Sequence, residues 1–352
     1  MPAIAIGRAL VARGHARESV HFVGSERGIE RRLVPEAGFS LTVLPGRGIQ
    51  RRVTIENVPA AAGMARAVAR AMALLRRERP RVVVSVGGYA SAPCAMAAVA
   101  LRIPLVLQEQ NAAPGAANRM VARFAQACAV SYPGTPLPRA HVTGNPVRPE
   151  VLAVDRSTGA AEARAALGLP ADRRVIGVFG GSLGALRINR AVLGALPGWS
   201  ARRDLAIHHV VGERDWDLVS AETPAIDGGL HYQAVRYEDR LPLLYAAADL
   251  FVCRAGGNTV AELAAVGAPA VLVPLPGAPA DHQTANAKVF AEAGAAELVR
   301  DRELDGARLA TTVNELIDDP EGLGAMAKAA ASLGRRDAAD RVAALAEEHA
   351  RG

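Results

Sequence analysis

Short apolar, β-branched runs alternate with longer stretches of helical spacing along the whole chain. VHFVGS (20–25), RVVVSVGG (81–88), PLVLQEQN (104–111) and ACAVSYPG (127–134) read as strands that end in polar or glycine turns. Residues 26–37, 59–79, 92–102 and 114–124 carry helix-like spacing. The alternation resumes with VIGVFGGS (175–182), LAIHHVVG (205–212), LFVCRAGG (250–257) and PAVLVPLP (269–276). Such alternation builds parallel sheets covered on both faces by helices. Two series, with HVTGNPVRPEV (141–151) between them, predict an α/β chain of two doubly wound, Rossmann-like domains facing across a cleft. The boundaries fall at 1–147 and 148–335, and an Ala-rich helix in 336–352 is expected to pack back on the first domain. Ligands in these sheets sit at the carboxyl ends of strands, so the turns after the strands are where chemistry is sought.

The opening breaks the pattern. In MPAIAIGRALVARGH, Pro2, Ile4, Ile6, Leu10 and Val11 read as a helix ended by Gly14, with no strand ahead of it.

Charge changes the picture in one respect. The net +6 conceals 20 arginines against 8 acidic residues in positions 1–150, and 21 basic against 27 acidic residues thereafter. A basic first half suits an anionic surface or a phosphorylated acceptor. Aromatics are only 4% of the chain, too few for base-stacking platforms, and no nucleic-acid motif occurs, so no nucleic-acid partner is expected. No apolar run reaches membrane-spanning length. Cys94, Cys128 and Cys253 are scattered, without metal-ligand spacing, and read as buried thiols of a reducing compartment.

Two glycine turns stand out in the second series. Gly180-Gly181-Ser182-Leu183-Gly184-Ala185 follows VIGVF and opens a helix. Glycines bring backbone N–H groups close to an anion and the helix start adds partial positive charge, which suits a diphosphate; a plain strand-to-helix turn is the other reading. The spacing is not GxGxxG, although Glu213 could imitate a ribose-binding acid and so keeps NAD as a second reading. Cys253-Arg254-Ala255-Gly256-Gly257-Asn258-Thr259-Val260-Ala261-Glu262 repeats the arrangement, with Asn258 or Thr259 as N-cap. Glu262 could accept a ribose diol, or simply complement the helix dipole. Asp281-His282-Gln283-Thr284 begins another helix, where amides and a carboxylate suit sugar hydroxyls or serve as a cap. In the first half, Gly87-Gly88-Tyr89 and Gln108-Glu109-Gln110-Asn111 end neighbouring strands and form a candidate acceptor side. Asp215-Trp216-Asp217 looks like a metal-binding DxD but lies at a helix start, and no histidine pair has zinc spacing. No metal and no cofactor are expected.

SVGGYASAP (85–93), QEQNAAPGAANR (108–119), GNPVR (144–148), GGSLGALRIN (180–189), CRAGGNTVAE (253–262) and DHQTANA (281–287), in this order, closely resemble the MurG family. The resemblance implies a GT-B fold with the acceptor domain first and the UDP-sugar domain second. It implies a metal-independent, inverting glycosyltransferase of peptidoglycan synthesis that moves GlcNAc from UDP-GlcNAc to the 4-hydroxyl of the N-acetylmuramoyl unit of undecaprenyl-linked lipid I, giving lipid II. Carried over by position, Asn111 touches the sugar, Arg148 and Ser182 face the phosphates, and Glu238 marks the backbone that meets uracil. Gly257, Asn258, Thr259, Val260, Ala261 and Glu262 hold phosphate and ribose, Gln283 reads sugar hydroxyls, and Gly87, Gly88, Tyr89 and Glu109 line the acceptor side. Gln108 stands where many relatives carry His. A UDP-GlcNAc epimerase and a form that binds UDP-GlcNAc without turnover are the alternatives.

The resemblance also bears on the opening. Family members begin with an apolar strand and a glycine–histidine loop that supplies their candidate base, and here Met1 stands just before the Pro that follows it. The expectation is a chain cut short by a start codon placed too late. Losing about five buried apolar residues would forfeit about 8–15 kcal/mol, against a domain's net stability of ~5–15 kcal/mol. No catalytic base is then assigned, with Glu109 as a fallback candidate. A lipid-linked acceptor implies a peripheral enzyme at the cytoplasmic face of the cell membrane. Met64, Val68, Met72 and Leu75, ringed by Arg47, Arg51, Arg52, Arg66, Arg70, Arg76 and Arg77, form the expected docking stripe on anionic lipid.

Overall fold

The computed structural model describes residues 1–26, 28–44, 57–88, 91–181 and 184–351. Backbone contacts divide the chain into two units, one of Met1–Val147 with Arg336–Gly352 and one of Arg148–Arg335.

The first unit opens with helix α1 (Pro2–Ala12), started by Pro at its first position. Strand β1 (His21–Ser25), α2 (Glu30–Glu36) and β2 (Ser40–Leu44) follow. Then come α3 (Asn57–Glu78), β3 (Val83–Ser85), α4 (Ser91–Ala100) and β4 (Leu105–Glu109). Helix α5 (Ala116–Val121), β5 (Ala127–Val130) and β6 (Ala140–Val142) complete the series. All pairings are parallel, but they form two sheets, β1-β2 and β3-β4-β5-β6. Among the described residues β1 pairs with β2 alone and β3 with β4 alone. Side chains nonetheless bridge the break: Val23 of β1 and Val83 of β3 pack on one cluster with Leu44, Leu75 and Ile103.

The second unit starts with α6 (Pro149–Leu152) and α7 (Ala160–Leu167). Strand β7 (Arg174–Phe179), α8 (Leu186–Trp199), β8 (Leu205–Val210) and α9 (Trp216–Glu222) form its first half. Strand β9 (His231–Val235), α10 (Leu241–Ala247), β10 (Leu250–Cys253) and α11 (Gly257–Val266) come next. Strand β11 (Ala270–Leu272), α12 (His282–Glu292), β12 (Ala296–Leu298), α13 (Gly306–Ile317) and α14 (Pro320–Leu333) close the unit. One parallel sheet of order β12-β11-β10-β7-β8-β9 runs through it. Its central strands are buried on both faces, as their mainly apolar sequences require, with His208 and His209 of β8 among the buried residues. The core centres on Ile176, Ile207, Leu196, Trp199 and Val313.

Helix α15 (Ala338–Glu348) belongs to the first unit, where Val342 and Leu345 share a cluster with Ile6 of α1 and Val106 of β4. Arg13 and His15 then bind Glu347 from outside, at 2.7 Å and 2.8 Å.

The expected lipid-docking stripe on α3 needs correction. Leu75 is buried and Met72 packs with it on the core cluster, while Met64 and Val68 are half-buried. A stripe with helical spacing that faces a neighbouring helix, here α4, is spent on the core. Arg66, Arg70, Arg76 and Arg77 are exposed, and Arg47, Arg51 and Arg52 lie outside the described residues.

Candidate functional site

In the second sheet β7 has β8 on one side and β10 on the other, so the strand order reverses between β7 and β10. A doubly wound sheet opens a crevice at such a point, beyond the carboxyl ends of its strands. Register places Phe179, the last residue of β7, beside Cys253, the last of β10. The two glycine turns therefore leave the sheet side by side, and α8 and α11 both begin there.

The turn after β7 is held from below. Gly184 adopts φ +86°, and a Cβ there would run into the Val211 carbonyl and the Asp215 carboxylate. Neither neighbour yields easily, because Asn189 Nδ2 donates to both, at 3.0 Å and 3.1 Å. Asn189 Oδ1 in turn meets His209 Nε2 at 3.0 Å, and His209 Nδ1 meets the Tyr232 hydroxyl at 2.9 Å. Burial pushes the imidazole down to about 3, so it is neutral, carrying its proton on Nε2 toward Asn189 and accepting from Tyr232. Asp215, at the DxD, is thus a buried scaffold carboxylate that also takes Arg214 at 2.8 Å. Ser182 lies outside the described residues.

At the second turn Gly256 is the N-cap of α11, in place of the expected Asn258 or Thr259, which fall inside the helix. Gly257 and Val260 are buried, Thr259 and Ala261 half-buried and Asn258 exposed, so Val260 offers only backbone here. Arg254 fastens this turn to the next one, donating to the carbonyls of Val273 and Pro274 and to Asp301 at 2.6 Å. Glu262 is 7% exposed and held by two donors. Arg148 Nε reaches Oε1 at 2.9 Å, and the Tyr245 hydroxyl reaches Oε2 at 2.9 Å. Because Arg148 uses Nε for this bond, its two terminal amino groups remain distinct from it.

Gln283 accepts the Leu275 N–H on its amide oxygen at 2.9 Å, which fixes the side chain and makes its nitrogen the group it can offer. Asp281 occupies the N-cap position of α12, but its carboxylate accepts the Thr284 hydroxyl at 2.7 Å rather than a backbone N–H of the helix. The Glu238 carboxylate is turned inward, taking the Arg240 N–H at 2.9 Å and lying 3.3 Å from His208 Nε2.

In the first unit Gly87 and Gly88 follow β3 with φ of +81° and +86°. Consecutive positive φ values are open to glycine at no steric cost, and Gly88 is exposed. Gln110 Nε2 ties this turn to the next by donating to the Val86 carbonyl at 3.3 Å. Glu109 is 2% exposed and fully engaged. Its Oε1 accepts the backbone and side-chain N–H groups of Asn111 at 3.0 Å and 3.1 Å; its Oε2 accepts Gly115 N–H and Asn118 Nδ2, both at 2.9 Å. A general base needs an open lone pair within reach of the proton it takes. Glu109 has spent its own on the loop, which corrects its candidacy as base. Gln108 is buried and donates to Asn145 Oδ1 at 3.0 Å. Tyr89 lies outside the described residues.

Among the described residues no group of three or more His, Cys, Asp or Glu is arranged to hold a metal ion, and no helix is long and apolar enough to cross a membrane. The three cysteines are buried and unbridged. Burial pushes the Cys94 and Cys128 thiols up to about 11.

Sequence reasoning located the turns and Glu262. It missed Tyr245, Asn189 and the supporting roles of Asp215 and Arg254, whose partners come from distant elements.

A parallel sheet with paired glycine turns at its switch point suits a phosphorylated ligand, and the comparisons give the class, a glycosyltransferase. The glycosyltransferase family 28 N-terminal domain matches residues 1–130 and the family 28 C-terminal domain matches residues 175–342. A Nocardioides sp. protein named UDP-N-acetylglucosamine--N-acetylmuramyl-(pentapeptide) pyrophosphoryl-undecaprenol N-acetylglucosamine transferase is 44% identical, over 93% of this chain and 88% of its own. The crystal structure of Acinetobacter baumannii MurG matches with a TM-score of 0.77 at 28% identity, covering 99% of this chain and 95% of that one. UDP-GlcNAc 2-epimerase from Neisseria meningitidis shares the fold alone, with a TM-score of 0.61 at 14% identity over 93% of this chain and 99% of its own. The chain has the GT-B fold of two Rossmann-like domains and belongs to the MurG family of glycosyltransferases.

Proposed function

We propose that this chain transfers N-acetylglucosamine from UDP-GlcNAc to the 4-hydroxyl of the N-acetylmuramoyl unit of lipid I, giving lipid II for peptidoglycan synthesis. The observation that carries the reading is the coincidence of the strand-order reversal between β7 and β10 with two glycine turns and the Arg148–Glu262 pair. Backbone N–H groups at the starts of α8 and α11 suit the diphosphate, and Arg148 adds charge beside it. Glu262 suits the ribose diol and Gln283 the sugar. Glu238, with its carboxylate turned inward, leaves its backbone for uracil. As UDP departs, these fixed donors stabilise the charge on its phosphates. The acceptor hydroxyl attacks C1 from the opposite side and inverts it. Its proton must pass to a base, worth typically about 10²–10⁴-fold.

The first unit is read as the acceptor domain, with the Gly87–Gly88 turn and Asn111 as acceptor- and sugar-side groups. Glu109 holds the Asn111 loop in shape. Support for a peripheral position at the cytoplasmic face of the membrane comes from α5 and the turn after it. There Met120 and Phe124 are 50% and 46% exposed, beside exposed Arg119 and Arg123, and the Arg123 guanidinium stacks on the Phe124 ring at 4.6 Å. Apolar side chains ringed by arginine suit an anionic lipid surface.

The test is incubation of the purified chain with UDP-GlcNAc and lipid I in anionic vesicles. Formation of lipid II with release of UDP is expected. Conversion of UDP-GlcNAc without lipid I would favour an epimerase, and binding without transfer would leave only a nucleotide-sugar binding protein.

A further inference from the structure

Tyr245 of α10 is wholly buried, yet it carries a hydroxyl that must be satisfied. Its ring is fixed by Phe179 at the end of β7, edge-on at 6.2 Å, and by Phe251 of β10 at 5.4 Å. Both belong to the two strands that flank the switch point. The hydroxyl donates to Glu262 Oε2 while Arg148 takes Oε1, each at 2.9 Å. A carboxylate held by Arg148 alone could still turn about its terminal bond; two donors on different oxygens fix its plane. Each oxygen then keeps one lone-pair direction, so two acceptor sites remain side by side. Two vicinal hydroxyls fit such a pair. Burial and the neighbouring carboxylate raise the Tyr245 phenol well above its ordinary range, so it stays a donor.

We propose that Tyr245 is a positioning residue that sets the Glu262 carboxylate to accept the ribose diol of the nucleotide. This rests on the reading of Glu262 as the ribose acceptor.

Titration calorimetry of the full chain with UDP and with 2′,3′-dideoxy-UDP separates the two ideas. Wild type should prefer UDP, and Glu262→Gln should lose most of that preference. Tyr245→Phe should weaken UDP about 5- to 10-fold, the worth of one well-placed hydrogen bond, and dideoxy-UDP less than about 2-fold. Unliganded melting curves check the fold, and Tyr245→Met, which also lacks the hydroxyl, repeats the measurement should the Phe variant unfold. If Tyr245→Phe weakens both ligands equally, or neither, Tyr245 serves packing alone and the proposal fails while the ribose reading stands. If wild type binds the two ligands equally, the ribose reading itself falls and the proposal with it.

Discussion

Each unit buries a glutamate beside a post-strand turn, and the two are held in opposite ways. Glu109 accepts four donors, all from residues within nine positions of it. Glu262 accepts two, one 114 residues away and one 17 away. The first carboxylate closes its own loop and has nothing left to give. The second is gripped by other elements and keeps acceptor capacity beside the two glycine turns. Burial therefore does not distinguish these two acids; the count and origin of their donors do.

The sharpest way to break this contrast is to remove Glu109. Glu109→Ala leaves four N–H donors without their acceptor, and unsatisfied buried groups cost about 1–3 kcal/mol each before relaxation. Some will find water, so a loss of about 3 kcal/mol or more is expected, read by urea titration of the unliganded protein. UDP affinity, measured under folding conditions, should stay within about 2-fold of wild type, since Glu109 is assigned to the other unit. A neutral effect on stability would show that the loop does not depend on its carboxylate.

Asp215 is the second unit's counterpart to Glu109, and Gly184 tests it. Gly184→Ala places a side chain at positive φ, costing about 1–2 kcal/mol, and drives its Cβ against a carbonyl and a carboxylate that Asn189 holds still. Stability should fall by about 2–3 kcal/mol, and UDP should bind more weakly because the turn must shift. Unchanged UDP affinity in a destabilised variant would separate this turn from the phosphates.

Glu262→Ala inverts the profile expected of Glu109→Ala. Loss of a charged acceptor should weaken UDP about 10- to 100-fold. Stability should fall by about 2–3 kcal/mol, for the Tyr245 hydroxyl and the part-buried Arg148 guanidinium left behind. Calorimetry and urea titration on the same two variants give the comparison directly, and it collapses if the two mutations move affinity and stability in the same ratio.

The sequence carried the α/β alternation and the turns because both are local. Strands β7, β8, β10 and β4 are buried apart from Arg174 at the start of β7, and each carries an apolar stretch that reads as a strand. Strands β2, β6, β9 and β12 went unmarked: SLTVL, AHV, HYQAV and AEL are short, mixed and only partly buried. Among the described residues all four lie at the edge of a sheet, where one side of the strand is not covered by another. At the proposed site, Glu262 stood out as a candidate because the helix that carries it starts at glycines. Tyr245 was not, since LPLLYAAAD holds nothing to mark a hydroxyl whose partner sits on another helix. The α3 stripe misled for the converse reason: spacing shows that one face is apolar, not what covers it.

A third carboxylate completes the scale. Glu347 on α15 takes Arg13 at 2.7 Å and His15 at 2.8 Å, but at the surface, and these two partners hold it below its ordinary 4.5. A carboxyl lowered in the folded state stabilises above its unfolded value and loses that contribution as pH falls through the folded one. The pairing of α1 with α15 should thus weaken below about pH 4.5. Screening makes the effect the smallest of the set. Glu347→Gln should lower the melting temperature at pH 7 and low salt by no more than about 2 °C. The difference from wild type should shrink as pH falls below about 4.5 and vanish in high salt. A larger loss that survives salt would mean that the apolar contact of Val342 and Leu345 with Ile6, rather than water-exposed charge, depends on Glu347.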